Sequence, residues 1–182
     1  MATPARTQRV RTVVEPVVMA AGLVLEDLQM SPAGPRTVVR VTIDLGDDAV
    51  GGLDLDTLAG VARQISAALD ADSPVAGEYT LEVSTPGTGR PLTEVRHFRR
   101  ARTRLVRLTL LGGAGVLGRL VDVVGDSLNL STLTLSPVDA ATGRAVVGDP
   151  IHIPLADVAS ATVEVELTRA PTGDDEDEDE ES

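Results

Sequence analysis

The apolar positions in the first half of the chain alternate between a helical spacing and a strand spacing. Valines three and four positions apart in residues 6–20 predict a helix with one buried face, and Gly22 follows as a stop signal. Leu23–Met30 and Thr37–Leu45 then alternate apolar and polar residues on either side of the turn-forming segment SPAGPR. This pattern predicts a hairpin of two strands.

A second helix and a third strand complete the first predicted domain. An apolar stripe from Leu58 to Leu69 indicates an amphipathic helix, with Asp54 as the candidate N-cap and Pro74 beyond its end. Tyr79–Ser84 shows the alternation of a strand. The order α-β-β-α-β predicts an α+β N-terminal domain in residues 1–90, with two helices against one face of a three-stranded sheet.

Beyond residue 103 the pattern is that of strands alone. Five short runs are separated by turns that contain Gly, Asp or Pro: Arg104–Leu111, Gly115–Val124, Ser127–Leu135, Ala145–Ile153 and Ala159–Leu167. Gly125-Asp126 suggests a tight hairpin, residues 136–150 an enlarged loop, and Pro154–Asp157 a single 3₁₀ turn. The pattern predicts an all-β, SH3-like or Sm-like small barrel in residues 103–169.

The composition restricts the kind of core, the kinds of site and the location that the protein can have. The chain has 182 residues, which fits one large or two small domains. Because it has only two aromatic residues, its core must consist mostly of aliphatic side chains. It has no cysteine, which excludes disulfides and thiolate metal sites. No apolar run approaches the roughly 20 residues of a membrane span, and the N-terminal segment lacks the apolar core of a secretory signal. We therefore expect a cytoplasmic protein with no membrane partner.

The charge of the chain is unevenly distributed. The net charge is −12, and Asp174–Glu181 contributes eight consecutive acidic residues. Because such a run repels itself and buries nothing, residues 170–182 are predicted to form a disordered acidic tail. The tail is interpreted either as a solubilising segment or as an electrostatic competitor that folds back on the arginines between the predicted domains.

Residues 90–107, which we call the basic segment, connect the two predicted domains. They contain seven arginines and are opposed only by Glu94, in a protein that is otherwise negative. Within this segment, residues 91–102 are predicted to be a linker with a short helix, which Thr93 can cap. A basic connection on an acidic protein indicates a docking surface rather than a catalytic pocket.

The short helix predicts which linker side chains are available to a partner. Val95 and Phe98 lie three positions apart and are expected to pack inward. Four arginines are then left pointing mainly outward: Arg96, Arg99, Arg100 and Arg102. Two interpretations remain open: the arginines contact the phosphates of a polyanion, or they pair with the acidic N-terminal domain or the tail.

Residues able to support catalysis or metal binding are sparse. His97 and His152 are the only histidines, and they lie in different predicted domains, too far apart in sequence for a normal metal cluster. His97 is interpreted as a residue on the helix surface, and Asp44, Asp47 and Asp48 as a solvated loop rather than a cation site. No nucleophile elbow, phosphate loop or dinucleotide fingerprint occurs. The sequence therefore predicts no catalytic residue, no metal site and no cofactor.

Several motifs around the basic segment occur in a fixed order. They are YTLEVSTPG at Tyr79–Gly87, GRPL at Gly89–Leu92 and HFR at His97–Arg99, supported by Glu15-Pro16 and by VTID at Val41–Asp44. In these motifs the chain resembles the bacterial ribosome maturation factors called RimP, over about residues 8–167.

The resemblance implies a non-catalytic role in assembly, carried out by an α/β N-terminal domain and an SH3-like C-terminal barrel. The implied partner is the immature small (30S) ribosomal subunit, with its 16S rRNA and a basic ribosomal protein, the twelfth of that subunit, whose docking the family assists. We expect a monomer. The alternative is an Sm-like RNA chaperone or general RNA-binding module that acts on free RNA.

The predicted partner-binding residues fall into two groups. The residues expected to shape the docking surface are Glu82, Ser84, Pro86, Gly87, Arg90 and Pro91. The residues expected to contact phosphates are the four linker arginines, Arg96, Arg99, Arg100 and Arg102.

Overall fold

The computed structural model of the chain describes residues 4–166. Its elements are α1 Pro4–Ala20, β1 Val24–Ala33, β2 Arg36–Asp44, α2 Leu55–Asp72, β3 Tyr79–Ser84, α3 Val95–Arg100, β4 Leu105–Leu110, β5 Gly115–Val124, β6 Thr132–Pro137, β7 Ile151–Pro154 and β8 Val158–Val163. Every predicted helix and strand has a counterpart among these elements, and the predicted fold class is confirmed.

The N-terminal elements form a three-stranded sheet with two helices packed against it. Strands β1 and β2 make the predicted antiparallel hairpin, and β3 pairs with β2 in parallel, so the sheet order is β1-β2-β3. Helix α1 buries Val10, Val14 and Val18 completely in the core that it shares with α2 and the sheet. Asp54 is the N-cap of α2, as predicted, because its carboxylate accepts a hydrogen bond from the backbone N–H of Thr57 at 2.8 Å.

A β-bulge in β1 sets the direction of one acidic side chain. Leu25 lies opposite Ile43 and Asp27 opposite Thr42, so Glu26 is an extra residue that interrupts the pairing. A bulge bends its strand and re-aims the side chain of the extra residue. The Glu26 carboxylate consequently meets side chains of the basic segment instead of following the alternation of β1.

The remaining five strands form one antiparallel sheet in the order β7-β6-β5-β4-β8. Strands β7 and β8 are its opposite edges, yet only the 3₁₀ turn Leu155–Asp157 joins them. In a flat sheet the two edges would lie about 19 Å apart, whereas a three-residue 3₁₀ turn advances only about 6 Å. The sheet must therefore curl until its edges approach each other, which produces the barrel-like arrangement that the sequence predicts.

The connection between β5 and β6 differs from the prediction. Val124 pairs with Thr132, so β6 begins at Thr132 rather than at Ser127. Loop 125–131 takes the place of the tight hairpin predicted at Gly125-Asp126. The hydroxyl of Ser131 donates a hydrogen bond to the carbonyl oxygen of Ser127 at 2.7 Å, which folds these residues into a turn of their own.

Two other strands differ from the prediction in length. Strand β7 begins at Ile151 rather than at Ala145, because Ala145 makes only an isolated bridge to Val138. Strand β1 continues to Ala33 and β2 begins at Arg36, so most of the SPAGPR segment belongs to the strands rather than to the turn.

Some expectations concern parts of the chain outside this description. The predicted acidic tail, residues 170–182, lies outside the described residues, and so does its suggested return to the arginines. The predicted domain limits at residues 90 and 103 stay predictions. Within residues 4–166, none of the helices has both the length and the apolar character needed to cross a bilayer.

Loop 125–131 can be tested by two glycine substitutions. A Cβ at Gly125 would lie 2.8 Å from the carbonyl oxygen of Leu130, and Gly125 has a φ of +111°. Gly113 also has a positive φ, +83°, but a Cβ there meets no described atom within 4 Å beyond its chain neighbours. We expect Gly113→Ala to cost about 1–2 kcal/mol of unfolding free energy and Gly125→Ala about 3 kcal/mol or more, because backbone must also move. Urea unfolding measures both, and equal losses would contradict this loop structure.

Candidate functional site

Helix α3 joins the two sheets, and its apolar residues pack as predicted. Val95 and Phe98 are buried in the core of the C-terminal sheet. The N-cap is Glu94 rather than Thr93, one position later than predicted. The reason lies in His97, whose Nδ1 accepts hydrogen bonds from the backbone N–H groups of Thr93 at 3.1 Å and Glu94 at 3.2 Å. The side chain of His97 therefore closes the first turn of the helix.

The predicted surface position of His97 is wrong, because its side chain is buried. Since Nδ1 accepts two backbone hydrogen bonds, the ring hydrogen belongs on Nε2. Nε2 lies 3.3 Å from the Glu26 carboxylate and can donate to it. The His97 side chain thus connects the start of helix α3 to the bulge of strand β1.

Glu26 is the buried centre of this contact, with 3 % of its side chain exposed. Arg90 donates to its carboxylate at 2.8 Å, and the guanidinium of Arg96 contacts the other carboxylate oxygen. Burial alone would raise the pKa of Glu26. Hydrogen bonds from His97 and Arg90, with the positive charges of Arg96 and Arg90, outweigh that effect and lower its pKa from 4.5 to about 2. Glu26 is therefore ionised in the folded protein at neutral pH.

A second buried ion pair lies beside the first. Arg100 donates to both carboxylate oxygens of Asp44, at 2.8 Å and 3.1 Å, in a bidentate contact. The same guanidinium donates to the carbonyl oxygens of Ala49 and Gly51, the latter at 2.9 Å. Only 9 % of the Arg100 side chain and 14 % of the Asp44 side chain are exposed. The end of β2 and the loop after it are thereby fixed to helix α3.

The interpretation of Asp44, Asp47 and Asp48 as a solvated loop is wrong for Asp44, which is buried, and for Asp47, which is partly covered by arginines, whereas the Asp48 side chain is exposed. Asp47 lies 3.1 Å from Arg96 and 3.7 Å from Arg99, and Asp48 lies 3.7 Å from Arg102. Within residues 4–166, no cluster of three or more His, Asp or Glu side chains could hold a metal ion.

The expected outward direction of the four linker arginines is wrong as well. Each has a carboxylate partner in the N-terminal unit, and none has more than about a quarter of its side chain exposed. The alternative interpretation, pairing with the acidic N-terminal domain, describes the contacts of Arg96, Arg100 and Arg102. Arg99 makes its shortest ion pair, at 2.6 Å, with Asp126 in loop 125–131. The physical reason is that α3 lies between two folded units and has no wide solvent face. The assignment of these arginines as phosphate contacts stays a prediction.

The other predicted docking residues lie on a strand end and the turn that follows. Glu82, Ser84, Gly87 and Pro91 are exposed, Pro86 is half-buried, and the Arg90 side chain is largely covered through its contact with Glu26. A backbone hydrogen bond from Arg90 to Gly87 closes the turn at 3.1 Å.

The end of this turn is attached to the C-terminal sheet. Pro91 forms a bridge to Thr162, and the backbone N–H of Leu92 donates to Ala161 at 2.9 Å. With the arginine contacts on one side and this pairing on the other, the exposed turn is held by both units.

Glu26 was not singled out in the sequence, although a signal for it exists. Leu25 and Leu28 are three positions apart in an otherwise alternating strand, with Glu26-Asp27 between them. Such a break in the two-residue period marks a bulge. The partners of Glu26 lie 64 or more residues later in the chain. The local periodicity of the sequence does not reveal contacts at that separation.

Comparisons with known proteins agree on one family. The model of the RimP N-terminal domain matches residues 13–89. Ribosome maturation factor RimP of Kineococcus radiotolerans is 43 % identical over 174 residues, which cover 91 % of this chain and 83 % of that protein. Ribosome maturation factor RimP of a Parafrankia species is 36 % identical over 182 residues, covering 88 % of this chain but only 57 % of the relative.

The Asp44–Arg100 contact predicts a large difference between two arginine substitutions. Arg100→Ala leaves the buried Asp44 carboxylate without its partner, so we expect a loss of about 3–5 kcal/mol in unfolding free energy. Arg36→Ala removes an exposed pair with Glu78, at 2.9 Å, and should cost less than about 1 kcal/mol. Chemical denaturation of both variants gives the comparison. Similar losses would show that Arg100 does not hold the two units together.

The low pKa of Glu26 predicts an acid-dependent part of the stability. Because the pKa falls from 4.5 to about 2 on folding, the carboxylate contributes fully above pH 4.5 and loses its contribution as the pH falls toward 2. The contribution is about 3 kcal/mol at ~1.4 kcal/mol per pKa unit. Glu26→Gln should flatten the stability profile between pH 5 and 2, as measured by urea unfolding, while Glu78→Gln at an exposed site should not. Parallel profiles for the wild type and Glu26→Gln would refute this role.

Proposed function

Because this chain belongs to the RimP family of ribosome maturation factors, we propose that it binds the immature small (30S) ribosomal subunit and assists its assembly. We include in this proposal the docking of the twelfth small-subunit protein, beside the 16S rRNA. The protein would act in the cytoplasm, as a monomer, by binding rather than by catalysis.

One observation supports this proposal most directly. The turn between β3 and α3 is exposed at Ser84, Gly87 and Pro91, yet it is held on both sides by buried or backbone contacts. A surface that is rigid before binding loses little conformational entropy when a partner docks. We therefore propose that the exposed residues of this turn, with Glu82 and Pro86, form the docking surface.

The arginines of the basic segment have different parts in this proposal. Arg90, Arg96 and Arg100 hold the docking surface in place through Glu26 and Asp44. Arg99 and Arg102, which keep about a quarter of their side chains exposed, would contact phosphates at the edge of the surface, as the sequence suggests.

The docking surface can be tested without disturbing the fold. At Gly87 an added Cβ meets no described atom within 4 Å beyond its chain neighbours, and φ is not positive. Gly87→Glu therefore places a bulky negative group on the surface, and we expect affinity for immature small subunits to fall at least about tenfold. Gly112→Glu is the matched control, because Gly112 has the same open surroundings in the β4–β5 turn. Co-sedimentation with purified precursor particles measures both.

Two results would contradict the proposal. Equal binding by Gly87→Glu and Gly112→Glu would remove the turn from the interface. Binding of the wild type to naked 16S rRNA as tightly as to the precursor particle would instead favour an RNA chaperone that acts on free RNA.

A further inference from the structure

One arginine of the basic segment differs from the other six. Arg90, Arg96, Arg99, Arg100, Arg102 and Arg107 each lie within 4.0 Å of a carboxylate. Arg104 has no carboxylate at that distance among residues 4–166, and it is exposed. Within residues 4–166 its charge is therefore uncompensated, whereas the charges of its neighbours are compensated by carboxylates.

Arg104 lines a cleft between the N-terminal unit and the C-terminal sheet. The cleft has a volume of about 230 Å³, and its walls include Thr85, Thr88 and the loop 51–53. Two carboxylates also reach it, Glu26 and Asp44, but both are ion-paired with buried or half-buried arginines. Among residues 4–166, the uncompensated charge in the cleft is thus positive, and two threonines that carry hydroxyl groups line the cleft.

The backbone before Arg104 is held in an unusual conformation. Thr103 has a φ of +69°, which is costly for a β-branched residue. Its backbone N–H donates to Leu120 at 2.8 Å, and Arg119 donates to its carbonyl oxygen at 2.7 Å. Strained residues that are held by the surrounding structure cluster at active sites, ligand-binding sites and switch regions. Here the strained residue, Thr103, directly precedes Arg104, and strand β4 begins at the next residue, Leu105.

We propose that Arg104, with the hydroxyls of Thr85 and Thr88, binds a backbone phosphate of ribosomal RNA in this cleft. A guanidinium with free donors forms paired, charge-assisted hydrogen bonds to phosphate, and threonine hydroxyls add neutral donors. The inference rests on the proposed function, because it names the contact through which the docked turn reaches RNA. In this proposal the main phosphate contact is Arg104, which has no carboxylate partner among residues 4–166, rather than the ion-paired linker arginines.

The first test compares full-length variants on immature small subunits. Arg104→Ala should bind about tenfold more weakly than the wild type, because a charge-assisted hydrogen bond is lost. The slope of log K against log salt concentration should become less steep by about one unit, because one phosphate contact is lost. Arg104→Lys should recover part of the affinity. Arg144→Ala is the control, because Arg144 is also exposed and has no carboxylate within 4.0 Å among residues 4–166, but lies in the 138–150 loop. Thermal melting establishes that all variants remain folded.

The outcomes separate this inference from the proposed function. If the wild type binds the precursor and Arg104→Ala binds with the same affinity and salt dependence, the phosphate site is refuted and the function stands. If the wild type fails to bind the precursor, the function itself is refuted.

A second measurement does not require the ribosome. In ¹⁵N NMR spectra, a short oligouridylate should shift the Arg104 side-chain resonance and the Thr85 and Thr88 amides, but not the Arg144 side chain. Equal shifts at Arg104 and Arg144 would indicate nonspecific attraction and would overturn the site.

Discussion

The arrangement of the two sheets depends on one buried carboxylate. Glu26 leaves strand β1 at a bulge and meets Arg90, Arg96 and His97 from the segment that leads to the other sheet. A buried charge without partners is very unfavourable, so this carboxylate is accommodated only when the basic segment is in place. The segment is consequently a structural part of the N-terminal unit, although it follows that unit in sequence.

This constraint changes the meaning of the basic segment. Buried ion pairs contribute little net stability compared with apolar packing, but breaking one is costly, so they favour one arrangement over others. Here the Glu26 and Asp44 contacts both join β-strands of the first sheet to helix α3. The same helix inserts Phe98 into the second core. Helix α3, of six residues, thus orients two sheets that each have their own hydrophobic core. The exposed turn before the helix is held in place by the same contacts.

The sequence predicts the fold class because most of the helices and strands show the local spacing of apolar residues that is typical of their type. Valines at helical spacing in α1 and the alternation of β2 each identify their element without reference to distant residues. The site was less accessible, because a run of arginines looks the same whether it faces water or a carboxylate. The partners of Arg100 and Arg96 lie about fifty residues earlier in the chain. They are Asp44, at the end of β2, and Asp47, in the loop that follows. Tertiary contact, not composition, decides which charges remain available.

The attachment of the linker to both sheets bears on how the protein can be divided. The family's N-terminal domain ends at residue 89, one position before Arg90. A fragment cut there would keep Glu26 and Asp44 but lose the arginines that compensate them, leaving two adjacent bare carboxylates at the cut surface. The contacts that stabilise the N-terminal unit therefore extend beyond the residues that the model of the family's N-terminal domain matches. A fragment that continues through helix α3 carries its own counter-charges, at the expense of exposing Phe98.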